Sequence, residues 1–325
     1  MQSSSARCEP NLTQCSISRQ CGVFSQSFGV NHTFRVFLLP RNCHRHILWH
    51  LNNTSEVAMP YLNVKDADIY YEVHGDGPPL LFCSVTGCDH QAWKFHQVRE
   101  FSRDHRVILF DYRGTGKSSK TVQRYSIKMF TDDAAALLDH LGVEQAIVCG
   151  HSMGGVVGQL LALDHPKKVK KLILASSGSS HPGAHGIPFA MCRDMIRKGF
   201  EGYIREHTTE TGWTKEFVAA HPDLIETFLQ VRISGIAPLE NYLHFVLARQ
   251  EHDHADRLKE IRVPTLVLVG DDEHHGAADR THWDAAHHLA SEIPNAKLVI
   301  LPGEGHHYLA TNPDAAHKAI REFIG

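Results

Sequence analysis

Apolar and polar positions along the chain fall into two regimes. Up to about residue 58 no helical or strand period is legible. From Tyr61 onward, short apolar runs at 69–73, 79–84, 106–111, 145–149, 171–175, 265–270 and 297–301 alternate with stretches of helical spacing such as 127–141 and 156–163. Several of these runs are apolar at every position, so both faces of the strand must be covered, and that is the pattern of a mostly parallel sheet with helices on both sides. The fold class read from the pattern is α/β. Between residues 180 and 258 the strand signal vanishes and helical spacing takes over, at 187–200, 215–231 and 238–249. A helical insert between two strands sits at the carboxyl edge of the sheet, where open α/β sheets bind ligands. The chain therefore divides into a core of 59–180 and 256–325 and a helical cap of 181–255.

Residues 1–58 are Ser-rich and hold five Arg, no Lys, and Glu9 and Glu56 as their acids. Two readings stand side by side: an organelle transit peptide, or an extension outside a compact domain that effectively starts at Met59. The expected location is cytoplasmic, or mitochondrial if the segment is a targeting peptide. Composition adds little that is special. With 325 residues, 42% hydrophobic and 21% charged, the chain is long enough for a sizeable core. A formal net charge of -3 gives no footprint for nucleic acid. No run of about 18 apolar residues is present to span a membrane. A small-molecule partner is expected; oligomeric state is left open. The eight cysteines lack metal-site spacing, and Cys83 and Cys149 fall in apolar runs, so they read as buried reduced thiols. Lys167, Lys168, Lys170 and Lys171 read as a solvated turn.

The chemistry concentrates at Gly150-His151-Ser152-Met153-Gly154, which follows an apolar strand and opens a helical stretch. Such a turn leaves no room for side chains at its glycines and projects the serine above the sheet edge as a nucleophile. A serine hydroxyl needs a base within hydrogen-bond reach and a carboxylate to orient that base. The base falls on His306, in the glycine-rich loop 302–307 past the last strand, ahead of its neighbour His307. The carboxylate falls in Asp271-Asp272-Glu273, directly after the strand 265–270, with Glu273 and Asp272 as the candidates. The order of Ser, acid and His along the chain is the one this strand-turn-helix arrangement uses. An oxyanion needs two donors: the N–H of Met153 is one, and Thr86, beside Gly87 after the strand 79–84, supplies the other. Such a mechanism calls for no cofactor. The paired histidines, 26 His in all, supply no three-ligand metal set. Gly116-Lys117-Ser118 lacks the earlier glycine of a phosphate loop, since position 111 is Asp.

Across 61–324 the chain resembles the α/β-hydrolase superfamily. Asp111-Tyr112-Arg113-Gly114-Thr115-Gly116-Lys117-Ser118 is similar to its D-x-R-G-x-G-x-S turn, 150–154 to its nucleophile elbow, and 302–306 to its histidine loop. Ile261-Arg262-Val263-Pro264-Thr265 and the short helical insert resemble the capped members around 3-oxoadipate enol-lactonase and the carboxylesterases. The resemblance implies hydrolysis of an ester or lactone of modest size. The family's His-Gly ahead of the oxyanion donor is replaced here by Ser84-Val85. The same triad would also serve a C–C bond hydrolase acting on a β-diketone-like substrate, or a slow-turnover ligand receptor.

Overall fold

The computed structural model describes residues 23–28, 32–37, 60–180, 186–273, 276–277 and 280–325, in two units, Met1–Val57 and Ala58–Gly325. In the first unit, β1 (Val23–Phe28) and β2 (His32–Phe37) pair antiparallel, although their sequences carry no clear strand alternation. The remainder of that segment, including Met59 as a domain start and the targeting reading, lies outside the described residues.

The second unit is built on one eight-stranded sheet. Its strands are β3 (Tyr61–Val64), β4 (Ala67–His74), β5 (Pro79–Cys83), β6 (Arg106–Phe110), β7 (Ala146–His151), β8 (Val169–Ala175), β9 (Thr265–Gly270) and, after the short pair β10 (Gly276–Ala277) and β11 (Arg280–Thr281), β12 (Ala296–Leu301). They lie in the order β12-β9-β8-β7-β5-β6-β4-β3. Pairing is parallel from β12 through β6 and antiparallel at β4 and β3.

The continuous apolar runs have a plain cause. Successive side chains of a strand point to opposite faces, and here both faces are core. Leu81, Ile108, Val148, Leu172 and Val267 enter one cluster; Leu80, Val107, Ile147, Ile173 and Leu266 enter the other. The first cluster is closed by α2 (Ile127–His140), α3 (Met153–Asp164) and, later in the chain, α8 (His282–Glu292). The second is closed by α1 (Gln97–Phe101), α9 (Tyr308–Thr311) and α10 (Asp314–Ile324), through Phe101, Leu309 and Ile320. Cys83 and Cys149 are buried and unbridged, as their apolar setting implies.

Among the described residues, four α-helices stand between β8 and β9: α4 (Phe189–Gly212), α5 (Lys215–Ala220), α6 (Pro222–Gly235) and α7 (Leu239–Gln250). The helix read at 187–200 runs on to Gly212 across a kink at Gly199, whose φ is 74°. The helix read at 215–231 is broken at His221, because Pro222 offers no N–H to continue the ladder and starts a new helix instead. Phe245 of α7 stacks on Phe130 of α2 at 4.7 Å, whereas Phe189 stays 81% exposed.

The turn after β6 explains its polar residues one by one. Fully buried Asp111 accepts the backbone N–H of His90 at 2.9 Å, the ring Nδ1–H of His90 at 2.7 Å and the N–H of Lys117 at 2.8 Å. Gly116 takes φ 45°, and a Cβ there would meet the Asp111 carboxylate at 2.2 Å. Arg113 grips Asp133 with two 2.7 Å bonds. The loop after β5, which carries His90, is thereby fastened to the loop after β6. The second ring nitrogen of His90 meets Glu72 at 3.0 Å. Burial opposes a charge on His90, but Asp111 and Glu72 outweigh it and raise the imidazole above its usual value. A histidine with a raised folded value contributes stability that is full below the unfolded value near pH 6.5 and is lost as pH rises through the folded one. The unfolding free-energy gap between the native chain and His90→Gln is therefore larger at about pH 6 than at about pH 9 in urea titrations. A gap that stays flat or widens with pH contradicts a charged His90.

Candidate active site

Ser152 stands between the end of β7 and the start of α3 with φ 55° and ψ −119°. For a residue with a Cβ this conformation costs on the order of 1–3 kcal/mol, so its surroundings must impose it. They do so by close approach. A Cβ on Gly150 would lie 2.2 Å from the Gly154 carbonyl oxygen, and one on Gly154 would lie 2.0 Å from that of Cys83. The Ser152 N–H donates to the Ala175 carbonyl at 2.9 Å, and its own carbonyl accepts from Gly155 N–H at 2.9 Å and from the Ser177 hydroxyl at 2.8 Å. Met153 is the first residue of α3, so its N–H has no carbonyl partner within the helix.

Past β9, the acids separate. Glu273 is fully buried and accepts three hydrogen bonds: from Gly270 N–H at 2.8 Å, from the Ser176 hydroxyl, and from His306 Nδ1 at 2.8 Å. An ionised carboxylate only accepts, so Nδ1 of His306 carries a proton. Asp272 is exposed and gives its N–H to the Glu304 carbonyl. Asp271 accepts the Gly303 N–H at 2.6 Å and so ties the histidine loop to the acid loop. Of the two candidates, then, Glu273 meets His306 and Asp272 does not.

His307 has a different job. Its N–H donates to the Gly212 carbonyl at 3.1 Å, and its ring packs against Gly212, Trp213 and Phe228. Burial drives this imidazole well below its usual value.

The roles of Ser176 and His151 escape the sequence reading, which singles out Ser84 only as a departure from the family pattern. Ser176, at the end of β8, holds φ 48° and is fully buried with its hydroxyl on Glu273. His151 reaches across from the elbow, its Nε2 2.8 Å from the His306 carbonyl oxygen. That oxygen only accepts, so the proton sits on Nε2; burial holds this imidazole down to about 4, and it is neutral near pH 7. Ser84, where the family pattern has His, braces its loop: its hydroxyl accepts from the Trp93 indole at 2.9 Å and donates to the Asp89 carbonyl at 3.1 Å. Adjacent polar residues after an apolar strand were the signal for Ser176; nothing in the sequence pairs His151 with His306.

Thr86 is buried, and its Oγ1 has no hydrogen-bond partner among the described residues. A cavity beside the site is lined by Val85 of this loop, by His151 and His307, and by Trp93, Phe228 and Arg232. Two sets of donor atoms lie close enough to share a cation, Glu273–His282–His306 and Asp89–His90–Asp111. In each, the donors are already engaged with one another, through Glu273–His306 and through His90–Asp111.

Residues 78–313 match the family model described as the alpha/beta hydrolase fold. RutD of Azorhizobium caulinodans, a protein named for carbamate hydrolysis, is 31% identical over 271 residues, covering 82% of this chain and 98% of its own. 3-Oxoadipate enol-lactonase 2 of Acinetobacter baylyi is 31% identical over 211 residues, 64% of this chain and 77% of its own. The crystal structure of the enol-lactonase from Burkholderia xenovorans superposes with a TM-score of 0.71 at 25% identity, over 82% of this chain and 99% of that one.

Replacing Ser176 by Ala leaves the buried Glu273 carboxylate short of one donor, which costs about 1–3 kcal/mol. Denaturant titration of the S176A protein checks this. Unchanged stability would mean that the hydroxyl contributes nothing to holding the acid.

Proposed function

Because the chain belongs to the α/β-hydrolase fold family and is a hydrolase, we propose that it cleaves a carboxylic ester or lactone through an acyl-enzyme on Ser152. The observation that carries the reading is the buried hydrogen bond from His306 Nδ1 to Glu273, at 2.8 Å. In the neutral ring a proton on Nδ1 makes Nε2 the acceptor nitrogen, which is the tautomer a general base requires.

In this reading Ser152 Oγ attacks the substrate carbonyl carbon while its proton passes to His306 Nε2. The carbonyl π electrons move to oxygen, and the N–H groups of Met153 and Thr86 stabilise that oxyanion; one such donor is worth about 2.7–4 kcal/mol in the transition state. The C–O bond to the alcohol then breaks, and the departing oxygen takes the proton back from Nε2. Water attacks the acyl carbon with His306 again accepting a proton, and collapse of the second tetrahedral intermediate returns Ser152 and releases the carboxylic acid. Glu273 never takes the proton; its charge stabilises the imidazolium and fixes the ring. His151 supports the reading from behind, since its bond to the His306 carbonyl ties the base to the residue preceding the nucleophile. No step calls for a cofactor. The names of two relatives, an enol-lactonase and a carbamate hydrolase, support the reading of a hydrolase acting on a small molecule.

Activated short-chain esters test the assignment. Ser152→Ala abolishes turnover and the acyl-enzyme burst. Glu273→Gln keeps the shape but offers His306 a group that no longer fixes the tautomer, and lowers kcat by about 10⁴. Asp272→Asn changes kcat less than about threefold, as an exposed substitution away from the reacting atoms. Wild-type turnover in S152A ends the proposal, and equal losses in E273Q and D272N end the choice of acid.

A further inference from the structure

The cap carries positive charge that the protein itself does not neutralise. Arg232 projects from α6 into the cavity that Val85, His151 and His307 also line. Its Nη1 donates to the Cys88 sulfur at 3.0 Å, and its Nε is buried without a hydrogen-bond partner. A thiol is a weak acceptor, and burial keeps this one protonated by pushing it up. Arg249 of α7 also has a buried Nε without a partner. Both positive charges act on the same two buried tyrosines, Tyr203 and Tyr242. Tyr242 in turn packs on Gly87, where a Cβ would lie 2.6 Å from its ring, next to Thr86 and Cys88.

Among the described residues, neither arginine has a carboxylate in salt-bridge range. The acids nearby are committed elsewhere. Asp89 lines the same cavity, but its carboxylate is pressed on Gly235, where a Cβ would lie 2.2 Å away, and it accepts the Gln91 N–H at 3.0 Å. Asp194, whose charge reaches Tyr203, pairs with Arg193 at 3.3 Å. The contrast with Arg113, which holds Asp133 by two bonds, shows what a structural guanidinium looks like in this fold. A half-buried cation without a counter-charge is costly to keep, and its N–H groups suit the planar fork of a carboxylate.

We propose that Arg232, with Arg249 behind it, forms an anion subsite in the cap, so that the preferred substrate is an ester or lactone bearing a free carboxylate. This deepens, and as a statement about substrate rests on, the reading of Ser152 as nucleophile. Trp93, Phe228, Val231 and Leu309 give the cavity apolar walls that accept the hydrocarbon between the carboxylate and the scissile bond, and Ser84, Asp89, Gln97, His151 and His307 line it as well. The hydroxyls of Tyr203 and Tyr242, kept protonated by burial, add neutral donors beside the guanidinium groups.

Binding is measured in the S152A protein, so that no turnover intervenes, by titration calorimetry with monomethyl glutarate against dimethyl glutarate. The charged ester binds about tenfold or more tightly than the neutral one, as a charge-assisted contact implies. That preference shrinks with added salt, disappears in S152A/R232Q, survives in part in S152A/R232K and falls by a smaller factor in S152A/R249Q. Equal affinity for the two esters in S152A, no measurable binding of the charged one, or a preference untouched in both R232Q and R249Q overturns the anion subsite. Turnover of the two esters by the native chain is scored separately. A binding preference without turnover removes the nucleophile and spares the subsite; turnover without a preference does the reverse.

Discussion

The site is organised around one buried carboxylate. Glu273 has no contact with water, so its oxygens must be satisfied by the protein or the chain would not keep a charge there. The donors come from three separate stretches: Gly270 at the end of β9, Ser176 at the end of β8, and His306 beyond β12. The carboxylate therefore joins two strand ends and a loop that are far apart in sequence. The strained backbone of Ser176 follows from the same constraint. Its N–H donates to Leu268 of β9 at 2.8 Å while its hydroxyl turns to Glu273. Held at both ends by the neighbouring strand and the acid after it, the residue keeps φ 48°.

A second constraint acts on the other side of Ser152. β7 pairs with β5 so that Gly150 lies opposite Cys83, and the turn into α3 then runs directly over the end of β5. A Gly154 Cβ would lie 2.0 Å from the Cys83 carbonyl oxygen and 2.8 Å from that of Ser84. The elbow and the loop carrying Thr86 are thus set by a single backbone contact. Ser84 then stabilises that loop through Trp93 and Asp89, which accounts for a serine where relatives of the fold have histidine. Its role is to hold the loop's shape.

How much of this is legible in the sequence depends on the range of the interaction. The strands can be read because each side chain in turn enters one of two apolar clusters, and the elbow because its glycines answer steric demands within five residues. The acid is harder. Asp272 and Glu273 are adjacent, and which one turns inward is decided by Ser176, 97 residues from Glu273, and by the Gly270 N–H. The break at Pro222 follows from a local rule that the apolar spacing of 215–231 conceals. The continuation of α4 beyond residue 200 rests on Gly199, which alone gives no sign of whether a helix resumes after it. Residues 23–28 lack the alternation that a half-buried strand displays, and 32–37 show it over no more than Thr33 to Val36.

The cap bears on the chemistry through its attachments. Ala237, between α6 and α7, donates its N–H to the Gly87 carbonyl at 2.7 Å, and Gly212, at the end of α4, accepts the His307 N–H at 3.1 Å. A Cβ on Gly305 would lie 2.5 Å from the Gly212 carbonyl oxygen, so the histidine loop and the cap touch through backbone. The loops that carry Thr86 and His306 are consequently both fastened to the insert, one through Gly87 and one through Gly212. A cap hinged freely over the sheet would have to break these bonds at each opening and would disturb Thr86 and His306 with every movement. On the proposed anion subsite, selectivity would then be governed by what the cavity holds, Arg232 and the apolar side chains around it, more than by the rate at which a lid admits a ligand.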